Sequence, residues 1–176
     1  MVGSETDNLQ PGKPVSRVLD DMDRKILGAL AEDATQSFAQ LGKIVGLSAP
    51  AVHERVKRLR ANKTIKATVA QLDGPQTGKP LLAFIHVNAR GWAKTKGLTA
   101  LAERPEVEEI HSATGDTCLI MKVRVASSYA LEGLLSQIYD LPEVQRTQTY
   151  VALSTHLERS VQAGVSPELA KGGYLR

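Results

Sequence analysis

The chain has 176 residues and a hydrophobic fraction of 42%, which suits one domain or two small ones with a modest core and excludes a wholly disordered chain. No run approaches the roughly 18 apolar residues of a membrane span, residues 1–5 lack the basic-then-apolar order of a secretory signal, and the single cysteine, Cys118, can form neither an internal disulfide nor a zinc site. A cytoplasmic protein is expected. Net charge is only +3, yet residues 43–66 hold Lys43, Arg55, Lys57, Arg58, Arg60, Lys63 and Lys66 against Glu54 alone, while residues 81–176 balance at ten against ten. A focused basic segment is the footprint of a polyanion binder. The aromatic fraction of only 4% argues against stacking platforms for single strands, and a duplex is the expected partner.

In chain order, residues 1–16 are polar, contain Pro11, Gly12 and Pro14, and read as a flexible tail. A helix is predicted from Asp20, with Asp21 and Asp23 in its first turn and Met22, Ile26, Leu27 and Leu30 as its apolar stripe. Ser37 to Gln40 fits a capping box, Phe38, Leu41, Ile44 and Val45 form the next apolar face, and Gly46 stands where a left-handed helix end is wanted. Ser48 then caps a third helix with Pro50 in its first turn. Val52, Val56 and Leu59 line one side of it, which leaves His53, Arg55, Lys57, Arg58 and Arg60 on the flanks and the far side. Three helices with short turns and a basic third helix make a helix-turn-helix. Residues 65–70 alternate like a short strand, and residues 73–80 are dense in turn formers and read as a linker. The Gly74, Gly78, Lys79 spacing is one residue short of a phosphate loop, and Pro80 stands where its hydroxyl residue belongs.

The second half reads strand, helix, strand, strand, helix, strand. Residues 81–87 form the first strand, 93–103 a helix, 107–113 and 118–125 two strands joined at Thr114-Gly115-Asp116, a helix capped by Ser127 or Ser128 follows, and residues 144–153 form the last strand. Pro105-Glu106-Val107 and Pro142-Glu143-Val144 recur 37 residues apart, each at the exit from a helix. Two interleaved strand–helix–strand units give a ferredoxin-like βαββαβ domain. Leu119, Met121, Val123 and Val125 face one way, whereas Cys118, Ile120, Lys122 and Arg124 face the other, where a second subunit is expected to cover them. The fold class is thus α+β, an N-terminal helix-turn-helix (winged-helix-like) domain over residues 17–72 and a ferredoxin-like domain over 81–157, with a C-terminal extension over 158–176.

Enzyme signatures are poor. His53, His86, His111 and His156 make no i, i+4 pair, no spacing suggests a metal, and no nucleophile constellation accompanies Cys118, which reads as a packing residue. An RNA-recognition module shares the strand order, but its stacking aromatics have no counterpart in residues 118–123. Neither catalysis nor a metal or cofactor is expected.

Leu19-Asp20-Asp21-Met22-Asp23-Arg24-Lys25-Ile26-Leu27, then Val45-Gly46-Leu47-Ser48, then Val52-His53-Glu54-Arg55-Val56-Lys57-Arg58-Leu59, and later Pro105-Glu106-Val107 with the Thr114-Gly115 turn, resemble the leucine-responsive/asparagine (Lrp/AsnC, feast/famine) family of regulators. The likeness covers about residues 17–157. It implies a transcription regulator that dimerises through its second domain, assembles further, commonly to octamers, and binds an amino-acid effector near the Thr-Gly turn. The family's usual Glu, Gly and Val are replaced by Arg60, Lys63 and Thr64, so Asn62 is expected to supply the tolerant helix end, and an acidic residue is replaced by Cys118.

The expected function is sequence-specific binding of double-stranded DNA by a nucleoid-associated homo-oligomer that responds to a small effector. The alternative is an architectural DNA-binding protein with little sequence preference and no effector. Ser48, Pro50, His53 and Lys57 are expected at the groove, and Arg55, Arg58, Lys63 and Lys66 at phosphates, with an ion pair to Asp20, Asp21 or Asp23 as the competing role for each arginine. The effector is expected at Thr114, Gly115, Asp116, Thr117 and Cys118, joined by Gln148 and Thr149 from the same or a neighbouring subunit. There, main-chain N–H groups at the turn would hold a carboxylate, and Asp116 an ammonium group.

Overall fold

A computed structural model describes residues 19–90, 97 and 100–166. The expected tail over residues 1–16, most of the expected helix over 93–103 and the end of the C-terminal extension lie outside the described residues. Two compact units emerge, one from residues 19–69 with 159–166 and the other from residues 70–158.

The first unit contains α1 (Asp21–Glu32), α2 (Phe38–Val45) and α3 (Ala49–Ala61). Each start is capped as the side chains dictate: Asp20 accepts from the Asp23 N–H, Ser37 and Gln40 close a reciprocal capping box, and Ser48 accepts from the Ala51 N–H. Ile26, Ala29, Leu41, Val45, Val52 and Val56 form the core, with Leu30, Phe38, Leu47 and Ile65 packed against it. Gly46 ends α2 at φ 72°, as expected. One turn earlier, the Leu47 N–H donates to the Gly42 carbonyl at 2.9 Å, and a Cβ on Gly42 would overlap the Leu47 carbonyl oxygen. That close approach folds the chain sharply enough for α3 to begin with only three residues between it and α2.

Two expectations fail at the end of α3. Asn62 is not left-handed: it lies at φ −87°, and Lys63 takes φ 59° instead. The Asn62 side chain accepts from the Thr64 N–H and hydroxyl at 3.1 and 2.8 Å, an arrangement that forces the reversal one residue later. Nor do residues 65–70 form a strand. The Ile65 N–H donates to Leu59 O at 3.0 Å and its side chain enters the helical core, so the alternation has no ladder partner among the described residues.

The second unit carries β1 (Leu81–Ala89), a 3₁₀ turn at Leu101–Glu103, β2 (Val107–Ser112), β3 (Leu119–Val125), α4 (Ser128–Tyr139) and β4 (Val144–Val151). The sheet runs β2-β3-β1-β4, all antiparallel, which is the ferredoxin-like strand order. Ser127 caps α4 through the Ala130 N–H. One sheet face presents Ala83, Ile85, Val87, Leu119, Met121, Val123 and Val125 to Leu131, Leu134 and Ile138 of α4, all buried. No helix among the described residues is long and apolar enough to cross a membrane.

The opposite face departs from the expectation. Cys118 lies outside the β3 ladder: its N–H donates to Val87 O at 3.1 Å, its thiol sits 3.7 Å from Ala89 O, and the half-buried side chain packs with the core rather than beside Ile120. Phe84, His86, Ile120 and Tyr150 remain on the outer face, His86 edge-on to Tyr150 at 5.1 Å. Lys122 and Arg124 on the same face are already engaged. Glu108 lies 3.0 Å from Lys122 Nζ and 2.8 Å from Arg124 Nε, and Glu158 lies 2.6 and 2.8 Å from the two cations.

Candidate functional site

α3 is built to show one side. Val52, Val56 and Leu59 are buried, and residues three and four apart share a helix face, so the same line of the helix is fixed in the core. A second attachment is electrostatic. Arg55 Nη1 lies 2.6 Å from Asp20 Oδ2 and 2.8 Å from Asp23 Oδ1, and Arg58 Nη2 lies 2.8 and 2.9 Å from the two Asp23 oxygens. Asp23 is buried, at 5% exposure, and two guanidiniums compensate a carboxylate that would otherwise be desolvated at high cost. The Arg55 guanidinium, aided by the Asp23 N–H, holds the Asp20 carboxyl below the usual carboxylate range, and both aspartates in turn raise Arg55. Arg55 therefore takes the competing role foreseen for it. Arg58 keeps donors besides Nη2, but its direction is set by Asp23.

The other expected contacts are open. Pro50, His53, Lys57, Lys63 and Lys66 are exposed, as is Arg60, which sequence reasoning left out of the interface. Lys57, Arg60, Lys63 and Lys66 have no ion-pair partner among the described residues. Ser48 is exposed and uses its oxygen as acceptor from Ala51 at 3.4 Å, which leaves its hydroxyl proton for another partner. The His53 ring rests 5.1 Å from the Phe38 ring, and its Nδ1 is 3.4 Å from Glu54 Oε1. A basic helix presented in this way suits the major groove of a duplex.

The second candidate site is the turn between β2 and β3. Gly115 lies at φ 110°, a backbone conformation that L side chains rarely adopt, so glycine is required there. Ala113 N–H to Cys118 O at 3.0 Å closes the turn. Thr114 and Asp116 are exposed, whereas the Thr117 hydroxyl is held by Val87 O and Leu119 O at 3.2 and 3.0 Å. Gln148 and Thr149 are not brought to this turn as a pair. They pair with His86 and Ile85, neighbours on opposite faces of β1, so within one copy their side chains lie on opposite faces of the sheet.

An AsnC-type helix-turn-helix domain matches residues 19–60, and an Lrp/AsnC ligand binding domain matches residues 82–162. The chain belongs to the Lrp/AsnC family of transcriptional regulators. It is 34% identical over 140 residues to the HTH-type transcriptional regulator FL11 of Pyrococcus horikoshii, covering 80% of this chain and 93% of that protein. It is 33% identical over 148 residues to the leucine-responsive regulatory protein of Escherichia coli, covering 82% and 88%. Among solved structures, E. coli AsnC superposes with a TM-score of 0.73 at 29% identity, over 82% of this chain and 98% of that one. A transcriptional regulator from Neisseria meningitidis in complex with L-Met superposes with a TM-score of 0.74 at 25% identity, over 81% and 94%. Both halves of the chain therefore follow the Lrp/AsnC plan, with the helix-turn-helix first and the sheet domain second.

Proposed function

We propose that this Lrp/AsnC chain regulates transcription by sequence-specific binding of duplex DNA through α3, as a homodimer or larger assembly, with an amino acid as effector. The observation that carries the reading is the two-sided build of α3: core and buried Asp23 on one side, unpaired Lys57 and Arg60 on the other. Ser48, Pro50 and His53 face the groove. Lys57, Arg60, Lys63 and Lys66 meet phosphates, Arg58 reaches a phosphate with the donors Asp23 leaves it, and Arg55 positions the helix.

The outer sheet face with Phe84, Ile120 and Tyr150 is where a second copy packs, since burying apolar surface there contributes about 25 cal/mol for each Å². A dimer brings two copies of α3 to one duplex and reads half-sites about 10–10.5 base pairs apart, or a multiple of that. The effector sits at the Thr114–Thr117 turn, its carboxylate on main-chain N–H groups and its ammonium on Asp116; the family domain matched here is a ligand-binding one, and the Neisseria relative was solved with L-Met. The protein works in the cytoplasm, on the nucleoid.

The test is footprinting across the protein's own promoter with and without each of the twenty amino acids, alongside sedimentation of the same samples. Protected, helically phased half-sites that change with one amino acid for the wild type, but not for Asp116→Ala, support the reading in full. Uniform coverage of any duplex, unmoved by amino acids, favours an architectural protein instead.

A further inference from the structure

The basic helix contains one acid. Among residues 49–61 Glu54 is the only carboxylate. It stands two positions from both Val52 and Val56, and at about 100° per residue that puts it roughly 200° around from Val52, near the middle of the face turned away from the core. Its side chain is 69% exposed. The usual helical partner four residues on, Arg58, directs Nη2 at Asp23 instead. Among the described residues the partner of Glu54 is His53, whose Nδ1 lies 3.4 Å from Oε1 and whose ring rests on Phe38. Phe38, a half-buried part of the helical core, thus steadies His53, and His53 steadies Glu54.

A carboxylate at the centre of a face that meets phosphates weakens binding to every duplex through repulsion. It is compatible with that face only where its oxygens meet hydrogen-bond donors. In the major groove cytosine offers its N4 amino group and adenine its N6 amino group beside the N7 acceptor, whereas guanine and thymine present acceptors at the same level and repel a carboxylate. We propose that Glu54 is a specificity-determining residue of α3, accepting from the amino group of a cytosine under the middle of the helix and rejecting guanine and thymine there. This rests on the reading of α3 as the DNA-binding helix.

The test is selection of bound sites from randomised duplexes by full-length wild type, Glu54→Gln and Glu54→Ala, with affinities measured on the selected site and on random duplex. Wild type should select cytosine at one position of each half-site. Glu54→Gln should shift that position to adenine, which glutamine can bond at N6 and N7 together. Glu54→Ala should lose the preference there, with discrimination falling about tenfold, keep every other position, and bind random duplex more tightly. If wild type has preferences and both variants retain all of them while affinity changes uniformly, Glu54 merely tempers a basic helix and the proposal fails. If wild type selects nothing, the regulator reading fails with it.

Discussion

Arg58 and Asp23 meet across α1 and α3 in a two-oxygen contact, Nη2 lying 2.8 and 2.9 Å from the carboxylate oxygens. The same carboxylate also takes Arg55, so one buried acid fixes α3 to α1. Replacing Asp23 by Ala takes from Arg58 the carboxylate it holds and leaves Arg55 with Asp20 alone. Because Arg55 and Arg58 retain 27% and 48% exposure, they can partly return to water, and a loss of about 2–3 kcal/mol is expected. Urea unfolding at fixed protein concentration measures it; an unchanged midpoint would show that the apolar core alone sets the helix.

Counterion release separates the cations that touch DNA from those that hold the helix. Lys57→Ala and Lys66→Ala should each lower the magnitude of the log K–log salt slope by about 0.9. Arg55→Ala should weaken folding and leave the slope nearly as it was, because its guanidinium faces Asp20 and Asp23. Titrations over several salt concentrations would contradict this if Arg55→Ala flattened the slope as much as Lys57→Ala.

Lys63 holds φ 59°, a region that disfavours side chains with a Cβ. Lys63→Gly should relieve it and raise stability by about 0.5–1 kcal/mol, the gain reduced by the freer unfolded chain. The same change should take about 0.9 from the salt slope if the ammonium meets a phosphate. Greater stability with weaker binding is the expected pair; weaker binding without a gain in melting temperature would show that the backbone carries no strain there.

Four carboxylates set the acid limit, among them Asp33, which the hydroxyl and N–H of Thr35 lower. The Arg55 guanidinium lowers Asp20, and the Lys122 ammonium, then Arg124, lower Glu158. Burial pushes Glu108 up, but Lys122 and Arg124 outweigh it and its titration also moves down. Groups whose folded values lie below their unfolded ones contribute fully above the unfolded value and lose that contribution as pH falls through the folded one. Melting temperature should therefore respond little to these groups between about pH 7 and 5 and fall below about pH 4. Glu158→Gln should melt lower at neutral pH and show a shallower acid decline; an equally steep decline would take Glu158 out of the account.

Much of this was legible because local chemistry repeated the global plan. Asp20, Ser37, Ser48 and Ser127 cap the helices the periodicity requires, and the alternation of Leu119, Met121, Val123 and Val125 predicts the buried sheet face. Several misses depend on a partner distant in sequence, whereas the one at the end of α3 is local, set by Asn62 and Thr64. Asp23 reads as a first-turn acid, although its spacing of three from Ile26 puts it on the buried stripe, where Arg55 and Arg58 compensate it. Cys118 falls outside the paired register, its amide bonded to Val87, which pairs with Leu119, and the strand expected at 65–70 lacks a neighbour among the described residues. Gln148 and Thr149 adjoin in sequence, and for that reason the pleat puts them on opposite faces of the sheet within one copy. Glu54 reads only as a deduction from the segment's charge until its position on the helix is known.

The ion pairs of Glu158 have a consequence for where the sheet domain ends. Among the described residues regular structure stops at Val151, and a cut at 157 would look harmless by secondary structure alone. Such a cut would strip Arg124, only 9% exposed, of one of its two acids, and Lys122 of its shortest contact. It would also remove the carbonyl that the Gln71 amide reaches at 3.5 Å. The electrostatic edge of the domain therefore lies seven residues past its geometric one. Any excised or fused version of the sheet domain must carry that glutamate to remain charge-complete.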